Sequence, residues 1–341
     1  MKNINAIITG VAGYVPDYVL NNDELSRMVD TNDEWIVTRT GIKERRLLVE
    51  EGLGTSYMAR KAAKLLLKKT GVDPDSIDAV IVATTTPDYP HPSTASIVLG
   101  KLELKNAFAF DFAAACCGFM YALDVASNMI QSGRHKRIIV IGADKMSAIT
   151  DYEDRATCPL FGDGAGAVLV EGTEEENIGL IDSYHRTDGK GLPFLHVKAG
   201  GSVFPASHYS VDHRMHYTYQ EGRFVFRYAV NAMGDDCEEL LKRNHLTMDD
   251  VDYVIPHQAN LRIIEAVAKR IGAPMEKVLV NIQRYGNTSA ACMPLVLWDF
   301  EKTLKKGDNI ILTGFGAGFV NGAAYLRWAY DGAQQVQQSR S

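Results

Sequence analysis

Two of the five cysteines, Cys116 and Cys117, sit where a thiol could act as a nucleophile. In Phe110-Asp111-Phe112-Ala113-Ala114-Ala115-Cys116-Cys117-Gly118-Phe119 an apolar strand gives way to small residues and then to a helix, with both thiols at the junction. A helix N-terminus carries unpaired N–H groups and the positive end of the dipole, which favour an anion. Such placement lowers a cysteine pKa from ~8.5 toward neutrality and makes thiolate available. The alanines and Gly118 leave room for a substrate carbonyl. Spacing does not separate Cys116 from Cys117, and a tightly packed, inert turn is the competing reading.

Three further turns could face that thiol. His257 follows the buried run Val254-Ile255-Pro256, at a strand's C-terminal end, where open α/β sheets place ligands. Asn287 lies in Arg284-Tyr285-Gly286-Asn287-Thr288-Ser289; it suits an N-cap, or offers a neutral amide donor. Gly314-Phe315-Gly316-Ala317-Gly318-Phe319 joins two strands, and its glycines permit close backbone approach.

These turns belong to a repeat. Leu66-Leu67-Lys68-Lys69 leads through Asp73 to Asp78 into Ala79-Val80-Ile81-Val82, and Leu240-Leu241-Lys242-Arg243 leads through Asp249 to Asp252 into Tyr253-Val254-Ile255-Pro256, an offset of 174 residues. In the first half a strand over 106–112, a helix over 117–132 and a strand over 137–142 follow. In the second, the spacing predicts a strand over 278–282, a helix over 289–305 and a strand over 309–314. Alternating helices and buried strands in both halves define an α/β architecture. The expected boundaries are 1–173 and 174–330, with a polar, disordered tail at 331–341. Residues 184–222 follow neither period and read as a surface excursion covering a cleft; the five histidines in it do not make a metal site.

Bulk composition narrows the function. A net charge of −6 draws in no nucleic acid. No apolar run approaches the ~18–20 residues that span a bilayer, and the start lacks the features of a signal peptide, so a cytoplasmic enzyme is expected. An odd cysteine count with no zinc spacing argues against a disulfide framework or a structural metal.

DFAAACCGF, IPHQANLRII, YGNTSAA and GFGAGF, with VDTNDEWIVTRTGIKER (29–45) and CPLFGDGAGA (158–167), resemble β-ketoacyl-acyl-carrier-protein synthase III over nearly the whole chain. The resemblance implies a five-layered α-β-α-β-α thiolase-like fold of two pseudo-equivalent halves. It makes Cys116 the nucleophile, Cys117 a packing residue, and Cys116, His257 and Asn287 the triad. Backbone N–H groups of Cys116 and Ala317 form the oxyanion hole. Thr31, Trp35, Arg39 and Arg155 would hold CoA, with Trp35 and Arg155 on opposite faces of the adenine. Gln258, Ala259, Asn260, Leu261 and Arg262 would meet the acyl carrier protein, with Lys269 on the same helix face as Arg262. His91 stands where acetyl-preferring members have phenylalanine in the acyl pocket, which leaves primer length open. Ala317 replaces a glycine but keeps its N–H.

The implied reaction is the decarboxylative condensation of an acyl-CoA primer with malonyl-acyl-carrier protein, initiating fatty-acid synthesis in a cytoplasmic homodimer without metal or redox cofactor. Alternatives are a polyketide- or quinolone-type synthase or acyltransferase of the same fold and, from another class, an inactive carrier-binding partner subunit.

Overall fold

The computed structural model describes residues 4–338. The first half contributes β1 (Asn5–Tyr14), the short pair β2 (Tyr18–Asn21) and β3 (Glu44–Leu47), then β4 (Ala79–Ala83), β5 (Phe108–Phe112), β6 (Arg137–Lys145) and β7 (Asp163–Thr173). The second contributes β8 (Gly179–Thr187), the hairpin β9 (Leu195–Val197) and β10 (Thr218–Gln220), then β11 (Tyr253–Pro256), β12 (Asn309–Gly316) and β13 (Val320–Arg327). Helices α1 (Asn22–Leu25), α2 (Asp33–Thr40), α3 (Thr55–Thr70), α4 (Thr94–Leu102) and α5 (Gly118–Gln131) fall in the first half. Helices α6 (His208–Asp212), α7 (Gly222–Arg243), α8 (Leu261–Ile271), α9 (Ile282–Tyr285), α10 (Cys292–Phe300) and α11 (Gly332–Gln338) follow.

The repeat is visible strand by strand. One sheet has the order β1-β7-β6-β4-β5, the other β8-β13-β12-β11 when read from its matching edge. In both, the first two contacts are antiparallel and β4–β6 and β11–β12 are parallel. The fifth strand of the second sheet, expected over 278–282, does not form: Val278 makes a single parallel bridge to Val254, and the chain turns into α9. The cause is a buried side chain. The Gln258 amide donates to Leu279 O at 3.4 Å and accepts from Asn281 N at 3.0 Å, taking backbone groups that a strand would have offered its neighbour.

Alternation along the strands builds the layers. Ile81, Ile138, Val140, Ile255, Ile310 and Leu312 point into one core shared by both sheets, which encloses α5 and α10. Val80, Val82, Ile139 and Ile141 point the other way, onto α3 and α4. Val254 and Ile311 pack outward on α7 and α8. The result is five layers, helix–sheet–helix–sheet–helix. The middle helices are buried on several sides, as their apolar sequences require; α8 shows one apolar face, formed by Ile263, Ile264, Val267, Ala268 and Ile271.

One expectation needs correction at the periphery, and another is met. The tail after Tyr330 begins as α11, tied down by Gly332 N–H on Leu304 O and by the Gln335 amide on Thr9 O; residues 339–341 lie outside the described residues. The 184–222 excursion is partly ordered, and its hairpin β9–β10 supplies a wall of the central cavity. Among the described residues no helix is long and apolar enough to cross a membrane.

Where the halves meet there is no room to spare. A Cβ on Gly142 would lie 2.1 Å from Ala290 O. Gly142→Ala should therefore lower unfolding free energy by about 1–3 kcal/mol or more. Gly100, exposed in α4 with nothing near its Cβ position, should gain about 0.5–1 kcal/mol on replacement by alanine. Urea denaturation of the two variants should show opposite shifts of midpoint.

Candidate active site

A cavity of about 1020 Å³ opens between the halves. Its lining brings together Cys116, His257, Asn287 and Ala317, with Trp35, Arg39, Ala259, Asn260 and Arg262 among the residues of its mouth and walls. Cys116 occupies the middle of a single 3-10 turn, Ala115–Cys117, between β5 and α5. That turn starts with Ala115 at φ +45°, an uncommon left-handed conformation for a residue with a Cβ. It turns the two thiols apart. Cys117 is fully buried with Sγ 3.5 Å from Val320 O, and Cys116 alone lines the cavity.

The facing turn in the second half is its counterpart. Ser289–Ala291 is also one 3-10 turn, it starts at a left-handed residue (Ser289, φ +53°), and it lies 174 positions further along. Ser289 Oγ is 3.6 Å from Cys116 Sγ. Sequence reasoning passed over this serine, although the repeat offset points to it. Gly316 closes the third side: a Cβ there would sit 2.8 Å from Cys116 N, so only glycine lets the 314–319 turn reach the Cys116 backbone.

Asn287 is held by its backbone and by half of its amide. Its N–H donates to Leu160 O at 2.8 Å, and its carbonyl accepts from Gly162 N at 3.1 Å. Oδ1 accepts from Ser289 N at 2.9 Å and faces the Cys292 thiol at 3.8 Å. Nδ2 is left as the group for the cavity. The 159–162 segment is itself pinned by Arg45, whose buried guanidinium donates to Pro159 O, Leu20 O and Asn22 Oδ1; burial lowers its pKa to about 10.

His257 N donates to Thr313 O at 2.8 Å, fixing the residue at the end of β11. Nδ1 is buried without a partner, and burial pushes the imidazole down to about pKa 3, so it is neutral near pH 7. The Cys116 thiol departs from the lowered pKa expected of a helix N-terminus. Burial pushes it up to about 12, against the opposing pull of the Ser289 hydroxyl. Desolvation of a charge outweighs the dipole here because the turn, although Cys116 borders the cavity, is packed between two sheets.

Other expectations divide. Trp35 sits on α2, whose first turn is capped by Asn32. The Arg39 and Arg155 guanidinium carbons lie 4.8 and 5.2 Å from its ring centre. Arg155 also meets Asp30 at 3.1 Å. At that separation no flat base fits between indole and Arg155, so the expected adenine slot is closed and Arg155 must move for it to open. Thr31, with its hydroxyl buried and unpartnered, does not line the cavity. Gln258, expected at a carrier surface, is wholly buried and braces the chain behind His257. Leu261 packs beneath α2, where a Cβ on Gly41 would collide with it. Arg262 and Lys269 are exposed, with Arg262 5.8 Å from the Phe226 ring. Arg223 and Arg227 on α7 also line the cavity and were missed; their spacing of four in GRFVFRY places them on one helix face. His91 is exposed on the loop after β4, away from this chain's own cavity.

A paired α/β sandwich with a thiol, an imidazole and an amide lining one cavity between its halves defines a thiolase-fold condensing enzyme. The family model for 3-oxoacyl-[acyl-carrier-protein] synthase III matches residues 110–189, and the model for that family's C-terminal part matches 241–328. A β-ketoacyl-[acyl-carrier-protein] synthase III of Phocaeicola vulgatus is 67% identical, over 98% of this chain and all of its own. Solved 3-oxoacyl-[acyl-carrier-protein] synthase III structures from Aquifex aeolicus (44% identity, TM-score 0.86, 95% of this chain and 100% of that one) and Pseudomonas aeruginosa (37%, 0.87, 95% and 98%) share the fold. The chain belongs to the β-ketoacyl-acyl-carrier-protein synthase III family and is a condensing acyltransferase.

In the ligand-free protein, alkylation of Cys116 by iodoacetamide should rise about tenfold per pH unit from 7 to 10 without levelling, as a thiol with a raised pKa requires. A plateau below pH 8 would show instead a thiolate stabilised at rest.

Proposed function

We propose that the chain condenses an acyl-CoA primer with malonyl-acyl-carrier protein to start fatty-acid synthesis, using Cys116, His257 and Asn287. The observation that carries this reading is the chemistry of the cavity. Around the reacting groups it presents the Cys116 thiol, the neutral His257 imidazole and the Asn287 amide turned donor-outward, and no Asp or Glu is among its described lining residues. A malonate anion and the enolate formed from it meet donors and no opposing carboxylate.

Cys116 sulfur attacks the primer's thioester carbonyl. The Cys116–acyl bond forms, the bond to CoA sulfur breaks, and the thiol proton ends on the departing CoA. The tetrahedral oxyanion is met by the N–H groups of Cys116 and Ala317, which the Gly316 contact draws together. Malonyl-carrier then enters. Its carboxylate leaves as CO₂ and the electron pair passes to the thioester oxygen, which accepts hydrogen bonds from His257 Nε2 and Asn287 Nδ2. With Nδ1 unpartnered, a neutral His257 protonated at Nε2 can donate there. The enolate carbon attacks the acyl carbonyl, and Cys116 leaves as thiolate and regains a proton from solvent. None of these steps uses a metal or redox cofactor.

The mouth supports docking of an acidic carrier through Arg262, Lys269, Arg223 and Arg227, with Ala259 and Asn260 beside them. Trp35, Arg39 and, once moved, Arg155 suit a CoA adenine, with Thr31 at the head of the same helix. Strand β5 pairs only with β4 and leaves Phe108 46% exposed, which supports a homodimer through that edge. His91 would then wall the partner's acyl pocket, and its polar ring favours branched or longer primers alongside acetyl. Soluble CoA and carrier substrates place the reaction in the cytoplasm, and the functional halves divide at 173/174.

Cys116→Ala should abolish acyl-enzyme formation by intact mass, whereas Cys117→Ala should keep it. His257→Ala and Asn287→Ala should still load the primer but release CO₂ from malonyl-carrier ~10²–10³-fold more slowly; native decarboxylation in either would refute its role. Arg262→Glu should raise KM for malonyl-carrier far more than for acyl-CoA, an effect that shrinks with added salt. Equal effects on both would count against docking there.

A further inference from the structure

One buried carboxylate behind the cavity has no part in the steps above, yet it joins the two halves at the reacting groups. Asp144, near the end of β6, is fully buried. Its Oδ1 is surrounded on one side by the 84–86 loop: Thr85 N at 2.7 Å, Thr86 N at 3.1 Å, and the hydroxyls of Thr84, Thr85 and Thr86 at 2.9, 3.0 and 2.9 Å. Its Oδ2 reaches across the junction and accepts one bond, from Ala290 N at 3.0 Å.

Ala290 is the centre of the Ser289–Ala291 turn. The preceding residue is held at φ +53°, a conformation costing a non-glycine residue on the order of 1 kcal/mol or more, so the turn persists only where its surroundings fix it. Besides the turn's own Ala291 N–H on Thr288 O at 3.1 Å, two side-chain acceptors fix it: Asn287 Oδ1 takes the Ser289 N–H, and Asp144 Oδ2 takes the Ala290 N–H. If the second is lost, the turn can relax, Ser289 N–H leaves Asn287 Oδ1, and the amide is no longer obliged to present Nδ2 to the cavity.

We propose that Asp144 is a positioning residue for the decarboxylation step, fixing through Ala290 and Ser289 the orientation of the Asn287 amide. This rests on the proposed role of Asn287 as an enolate donor. The choice of side chain follows from geometry. Backbone N–H groups approach from both sides, and only a carboxylate of this size offers an acceptor to each. An asparagine must turn its NH₂ toward either the Thr85 and Thr86 N–H groups or the Ala290 N–H, donor against donor.

The test compares Asp144→Asn, Thr84→Val and Asn287→Ala in two assays: loading of acetyl-CoA onto Cys116 followed by intact mass, and CO₂ release from malonyl-carrier. Thr84→Val removes one donor from the far side of Asp144 and leaves the Ala290 bond. We expect Asp144→Asn to load within threefold of wild type and to decarboxylate at least tenfold more slowly, with Thr84→Val within threefold in both. Parallel loss of both half-reactions in Asp144→Asn, equal behaviour of Asp144→Asn and Thr84→Val, or native decarboxylation in Asp144→Asn overturns the inference. If Asp144→Asn does not fold, Asp144→Ser, smaller and with room for a water, is measured in the same way; failure of both to fold makes the residue structural and the inference wrong. Asn287→Ala separates the two ideas. If it decarboxylates normally, the role of Asn287 fails; if it is slow while Asp144→Asn is normal, only the role of Asp144 does.

Discussion

Everything at the centre of this protein depends on two three-residue turns pressed against each other across the junction of its halves. Ala115–Cys117 and Ser289–Ala291 enter through left-handed residues, and neither would be stable alone. They persist because the middle layer is packed without slack: Gly142 and Gly316 bring backbone to within contact distance of Ala290 and Cys116, and Gly118 abuts Ala83 and Ala290. The five-layer arrangement supplies that pressure from both sides. Duplication has produced more than two similar sheets; it sets equivalent turns face to face, one carrying the thiol and the other the serine, with the asparagine just before it.

The same packing sets the electrostatics. A site drawn from the sequence as a dipole-activated thiolate has, in the folded protein, neutral reacting groups: burial raises the Cys116 thiol and lowers the His257 imidazole. A neutral site suits a reaction in which charge arrives with the substrates. Fixed donors then meet an oxyanion or enolate with little competition from water, which is where preorganised hydrogen bonds are strongest.

Much of this was legible in the sequence because buried strands and the turns after them have strong local signatures. The repeat of Leu66 and Leu240, the strand ends before Cys116 and His257, and the glycines of 314–318 each lie where the structure uses them. What was hidden depends on partners distant in sequence. Residues 278–282 have strand character, but the Gln258 amide claims their backbone, and the same contact removes Gln258 from the surface. The thiol's pKa depends on how deeply a second sheet covers it. Asp144 reads as an ordinary strand-end residue until Ala290, far along the chain, is brought beside it. Polar composition suggested a loose tail, yet α11 is docked by bonds to Leu304 and Thr9.

The collapsed contact of Arg155 on Trp35 bears on the order of events at the entrance. Of the two substrates proposed to share the cavity, only CoA carries a flat base that must part indole from guanidinium; a carrier-borne arm brings no such group. Arg155 also meets Asp30, which is almost fully exposed, so water screens the ion pair that a base would have to part. Spent CoA and a second CoA face a threshold that the carrier does not.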